Sequence, residues 1–99
     1  MSSYRVFVTP NAIKEIKGLP GNMRQRVRRC VSDLADDPRP NCSKGMTQKH
    51  TPREVRRIRI ENWRIIYVVS DDEAVVDVLG VRKRPPYDYA DLEKLLDQL

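Results

Sequence analysis

Three arginines, Arg57, Arg59 and Arg64, fall within Val-Arg-Arg-Ile-Arg-Ile-Glu-Asn-Trp-Arg-Ile-Ile-Tyr, residues 55–67 of the chain. The apolar positions alternate, so the segment reads as a tight β-hairpin whose polar side ends in arginines. Guanidinium forks bind phosphate oxygens bidentately and keep their charge throughout the physiological range. A second basic cluster, Arg82-Lys83-Arg84, closes the next strand-like run and leads directly into Pro85-Pro86-Tyr87-Asp88-Tyr89. Cations and aromatic rings at the ends of neighbouring strands suit a polyanion with stackable bases. The pattern points to RNA.

Period-two geometry puts Arg57 and Arg59 on one strand face, with Ile58 and Ile60 on the other. Arg64 lies just past the turn, where it pairs with Arg59 or a neighbour. Like charges facing each other across a sheet are unfavourable. For any one of these arginines a solvated sheet face is the bland explanation. Gathering Arg57, Arg59, Arg64 and Arg84 without obvious acids to neutralise them gives up stability, and an anionic ligand is the natural compensation.

The elements that position these residues can be read along the chain. Tyr4, Val6 and Val8 alternate with Arg5 and Phe7 in an opening strand. Thr9 then supplies an N-cap and Pro10 a favoured first helical residue. This first helix carries Ala12, Ile13, Ile16 and Leu19 on one face and ends in Gly18–Gly21. A second helix is predicted from about Asn22 to Ala35, with Met23, Val27, Cys30, Val31 and Leu34 as its apolar stripe and Arg24, Arg26, Arg28 and Arg29 outside. Asp36 to Glu54, rich in turn residues, reads as a surface loop. Strands follow at Val55–Ile60 and Trp63–Ser70, joined by Glu61-Asn62, and at Ala74–Val81, whose near-continuous apolar run marks a strand covered on both faces. A short amphipathic helix from Asp88 or Tyr89 to the end places Leu92, Leu95, Leu96 and Leu99 on one side. The expected order is β-α-α-β-β-β-α: an α+β domain spanning residues 1–99, with a helical hairpin packed on a small, mainly antiparallel sheet.

Composition agrees with an anionic partner. The formal charge is +5 and the pI near 9.5, properties that act on association more than on fold. No apolar stretch is long enough to cross a bilayer, and Tyr4–Thr9 is too short and polar for a signal peptide. A cytoplasmic location is the expectation, with no membrane partner. Cys30 falls on the apolar phase of the second helix, Cys42 lies in a loop, and a disulfide between them is disfavoured in a reducing compartment. No spacing resembles a metal site, since His50 is the sole histidine, and no cofactor is called for.

The hairpin sequence Arg-Ile-Arg-Ile-Glu-Asn-Trp-Arg-Ile-Ile-Tyr, the basic cluster after the next strand and a tyrosine opening the last helix resemble the RelE/ParE superfamily of bacterial toxin–antitoxin toxins. The resemblance covers nearly the whole chain, including element order and the Gly45-Met46 pair ahead of the hairpin. It implies either a ribosome-dependent mRNA endonuclease, the RelE type, or a gyrase poison, the ParE type. For the nuclease branch it implies that Arg57 and Arg59 stand where lysines are common. Arg64 and Arg84 match that branch's arginines, and Tyr89 its tyrosine. Tyr87 competes with Tyr89 because Pro85-Pro86 disturbs the spacing. The implied partners are a cognate acidic antitoxin, the ribosome with its rRNA, and mRNA, with DNA reached only through the antitoxin complex.

Metal-free RNA cleavage uses the 2′-OH as nucleophile on the adjacent phosphate. The 2′-OH must be deprotonated, the phosphorane charge stabilised and the 5′-oxygen protonated. Arginines suit the second task and fail at the first, because a guanidinium does not give up its proton in the physiological range. The base is therefore open between Tyr89, Tyr87 and His50. A phenol near cations loses its proton more readily, and an imidazole titrates close to neutrality. Trp63 fits a sheet anchor better than a base-stacking platform. The second-helix arginines fit either ordinary surface or non-specific phosphate contacts, and Arg82 and Lys83 contribute field.

Overall fold

The Thr9 hydroxyl accepts from the Ala12 amide at 3.3 Å, and Pro10 occupies the first helical position, so the Thr-Pro pair starts a helix as expected. The same hydroxyl donates to the Val78 carbonyl at 2.9 Å, which docks the helix start on the sheet. The computed structural model describes residues 4–46, 53–83 and 96. Its elements are β1 (Arg5–Val8), α1 (Pro10–Lys17), α2 (Gly21–Asp33), β2 (Ser43–Met46), β3 (Glu54–Ile60), β4 (Trp63–Ser70) and β5 (Val75–Lys83).

The strands form one sheet in the order β1-β5-β4-β3-β2, with β1 parallel to β5 and the other neighbours antiparallel. This is the α+β architecture expected, with one correction. The stretch 36–54 is not all loop, because Ser43–Met46 pairs antiparallel with β3. Ser-Lys-Gly-Met carries no alternating apolar signal, so the strand exists because β3 offers it an edge. The predicted order therefore gains a strand before the hairpin. Leu96 is helical and 7% exposed, and the remainder of the predicted terminal helix lies outside the described residues.

Helix α2 buries Met23, Val27 and Val31, with Leu34 fully buried at its C-cap. On α1, Ala12 and Ile16 are buried, but Ile13 is 42% exposed and leaves the predicted stripe. Strand β4 is buried from Arg64 to Val69, as befits the middle strand of the sheet.

Alternation along the strands creates two cores. Ile58, Ile65, Tyr67, Val69, Val76, Val78 and Val81 pack with the helices. Val55, Ile66, Val68 and Leu79 pack on the opposite face with Leu96, and Met46 borders them. Ile66 pairs with Gly80 and Tyr67 with Val78, so Leu79 is the extra residue of a bulge that turns its side chain to the second face. Each buried Val, Leu or Ile contributes on the order of 1.5–3 kcal/mol, which fixes the strand register.

Candidate nucleic-acid interface

The register that buries Val55, Ile66 and Val68 on the second face also decides where the arginines go. Arg59 pairs with Arg64, Arg64 with Arg82, and Arg57 with Ile66 and Lys44. Arg57, Arg59, Arg64 and Lys44 therefore share the face opposite the helices, beyond its apolar patch. Arg56 alternates to the other side, where its guanidinium donates to Ser43 Oγ at 2.8 and 3.1 Å and pairs with Glu54 at 3.2 Å. Three of the five predicted site residues, Arg57, Arg59 and Arg64, thus come together. Arg84 and Tyr89 lie outside the described residues, as do Tyr87 and His50.

The three arginines are not equivalent. Arg59 is exposed and Arg57 half-buried, whereas Arg64 is only 4% exposed. Arg64 Nη1 donates to the Trp63 carbonyl at 3.2 Å and to the Glu61 carbonyl at 3.4 Å, and Arg59 Nε donates to that same Glu61 oxygen at 3.3 Å. The solvated sheet face expected of any one such arginine therefore does not hold for Arg64. Alternation predicts its face, but depth depends on neighbours that a single strand pattern does not reveal.

The turn these arginines hold is unusual in one respect. Glu61 takes a positive φ of 53°, a conformation that costs an ordinary residue on the order of 1 kcal/mol. Its carboxylate reaches Arg26 of α2 at 3.0 Å, so one arginine of the helix's outer face anchors the hairpin tip. Arg24 donates to the Leu19 carbonyl at 3.1 Å, another structural use. Trp63, opposite Ile60 and Lys83, packs partly buried against the helix-side core, which assigns it to the sheet.

Sequence reasoning missed the group beside Arg82. Glu15 of α1 forms an ion pair with Arg82 at 2.6 Å. Nothing in the local pattern of α1 marks Glu15, because the pair depends on how the helix lies along β5. Elsewhere, burial is the main force that pushes the Cys30 thiol up to about 11, so it is protonated and unreactive near neutrality. Among the described residues, no three His, Cys, Asp or Glu side chains cluster as metal ligands.

What the described face offers is anion recognition: fixed cations in register, on strands rigidified by two cores, with no described histidine among them. No curated protein matches the sequence of this chain significantly. Among solved structures, it is 22% identical to a chain of the archaeal RelE-RelB complex from Pyrococcus horikoshii, with a TM-score of 0.74 over 86% of this chain and 99% of that one. It is 23% identical to a chain of the toxin–antitoxin complex RelBE2 from Mycobacterium tuberculosis, with a TM-score of 0.70 over 83% and 99%. The isolated E. coli RelE toxin gives 21% identity and a TM-score of 0.66 over 96% and 97%. At these identities the likeness is one of fold. The sequence itself, over residues 6–85, matches the family described as ParE toxin of type II toxin–antitoxin systems, parDE. With most of its length inside that family and its fold that of RelE, the chain belongs to the RelE/ParE superfamily of toxins.

Proposed function

We propose that this toxin acts on RNA, as a ribosome-dependent endoribonuclease that cuts mRNA in the decoding site and so inhibits translation. The observation that carries the reading is the basic face, where Arg59 stands opposite Arg64 and Arg57 opposite Lys44. Set against one another across a sheet, these cations repel, and a phosphate backbone bound over them relieves that cost.

In this mechanism the 2′-OH attacks the adjacent phosphorus, the bond to the 5′-oxygen breaks, and a proton goes to that leaving oxygen. Arg59 and Arg57 bind the phosphate and stabilise the phosphorane charge. Arg64 keeps the hairpin turn closed beneath them through the Glu61 and Trp63 carbonyls and adds its charge from below. Arg84 and Tyr89 come to the site from the resemblance, Arg84 as a further cation and Tyr89 as the base. No metal or cofactor takes part. The ribosome positions the substrate, which replaces much of the acid–base power the face lacks.

The partners of this reading are mRNA and rRNA, in the cytoplasm, and a cognate acidic antitoxin that neutralises the basic face. Relatives solved as toxin–antitoxin complexes support such a partner. One observation favours a second reading: the matched family is described as ParE, which fits a non-catalytic inhibitor of DNA gyrase. Primer extension on mRNA after induced expression separates the two. Codon-phased breaks are expected for the nuclease. Unbroken transcripts together with inhibited gyrase supercoiling would establish the second reading instead.

A further inference from the structure

Arg82 completes a row of arginines, since Arg59 pairs with Arg64 and Arg64 with Arg82 across β3, β4 and β5. Its surroundings differ from those of the other two. Strand β1 stops pairing with β5 at Val78, and side chains of α1 take over the edge beyond it. Asn11 Nδ2 donates to the Leu79 carbonyl at 3.0 Å and to Glu15 Oε1 at 3.1 Å. That same Glu15 oxygen accepts from the Val81 amide at 3.0 Å, while Oε2 lies 2.6 Å from Arg82 Nε. Gly80 makes the approach possible, because a Cβ there would stand 2.5 Å from Glu15 Oε1.

We propose that Glu15 is a charge latch that withholds Arg82 from the basic face, so that RNA meets Arg57, Arg59 and Lys44 but not the third arginine of the row. The inference rests on reading that face as the RNA-binding surface. Both partners are about three-quarters covered, with side-chain exposures of 26% and 23%, so the pair is screened less than a surface one. A phosphate competing for Arg82 must break a contact-distance ion pair and leave a half-buried carboxylate at the sheet edge. Latched, Arg82 adds almost nothing to polyanion affinity. The device keeps non-specific RNA binding down in a protein that carries +5 overall.

The test is equilibrium binding of the full-length protein to a short oligouridylate, by fluorescence anisotropy across a KCl series. Glu15→Gln keeps an acceptor for the Val81 amide and removes only the charge. It should tighten binding several-fold at low salt and steepen the log–log salt dependence by about 0.7, the increment for one added single-strand phosphate contact. Gly80→Ala, whose Cβ displaces the Glu15 carboxylate, should do the same by an independent route. Arg82→Ala, introduced in the Glu15→Gln background, should erase the gain. Asp72→Asn adds the same net charge at the far end of β4 and should leave the slope unaltered.

The latch is overturned if Glu15→Gln and Gly80→Ala leave the slope at the wild-type value, or if Asp72→Asn matches them. It is equally overturned if Arg82→Ala leaves the gain of Glu15→Gln in place. Arg59→Ala separates the latch from the RNA surface it acts on. If it flattens the slope while Glu15→Gln changes nothing, only the latch fails; if it too is silent, the reading of the face as an RNA surface fails.

Discussion

Arg59 and Arg64 stand directly opposite each other on β3 and β4, and both donate to one oxygen, the Glu61 carbonyl, at 3.3 and 3.4 Å. Two cations that should repel are held together by the turn between them, which places their charge at the hairpin tip. Their burial separates their roles: Arg59 presents charge to solvent, while Arg64, 4% exposed, supports the turn from within.

That division predicts different outcomes for the two alanine variants. Arg64→Ala should lose on the order of 1–3 kcal/mol of stability along with activity, because it removes a nearly buried side chain together with the donors it gives the Glu61 and Trp63 carbonyls. Arg59→Ala should cost less than about 0.5 kcal/mol, yet lower the cleavage rate on the order of 10². Urea unfolding and cleavage measured on the same preparations check both, and equal stability losses would show that the roles are not divided.

Most of the fold was legible because its signals are local. The alternation in Val55–Ile60 and Trp63–Ser70 sets strand, face and register together, and Thr9-Pro10 announces α1. What escaped depends on distant neighbours. Strand β2 has no pattern of its own and forms on the edge of β3. Alternation gives the face of Arg64 but not its depth. Helical spacing allows Ile13 into the core, but the surroundings of α1 leave it exposed. Glu15 was invisible because its partners, Val81 and Arg82, are brought to it only by tertiary packing.

At the opposite end of the sheet from the hairpin tip, acid sensitivity should follow from one guanidinium. Arg39 donates to both Glu54 oxygens, at 2.8 and 2.6 Å, and to Asp71 at 2.7 Å, and these bonds hold both carboxyls below their ordinary range. Tyr4 also donates to Asp71, at 2.6 Å. A folded-state pKa below the unfolded value contributes stability that is present above the unfolded value and disappears as pH falls through the folded one. Arg39→Ala should therefore move the acid-unfolding midpoint, followed by circular dichroism, to higher pH. An unchanged midpoint would mean that the cluster contributes nothing to acid resistance.

Relieving the turn should stabilise the protein. Glu61 sits at φ 53°, and its ion pair with Arg26 is exposed, at 64% and 52%, so little is lost with it. Glu61→Gly should raise stability by about 0.5–1 kcal/mol, read as a higher urea midpoint at unchanged slope. A lower midpoint would show that the Arg26 pair outweighs the backbone strain.

The base assignment is tested by removing one hydroxyl. Tyr89→Phe keeps the ring and should lose most single-turnover cleavage on programmed ribosomes, while Tyr87→Phe and His50→Gln stay near wild type. A crippled His50→Gln would transfer the role to residue 50. Three silent variants would leave charge stabilisation and alignment as the whole of this chain's contribution. The pH dependence of the rate should follow whichever group matters.

Whether the arginines of β3 act on RNA held in the ribosome can be decided with purified components. Wild-type protein and the Arg57→Ala/Arg59→Ala double variant are added to ribosomes carrying a defined mRNA, and the fragments are mapped by primer extension. Breaks confined to the decoding-site codon are expected with wild-type protein, and a rate lower by about 10² or more with the double variant. Intact mRNA under the wild-type protein, or equal cleavage by both, would contradict that role for Arg57 and Arg59.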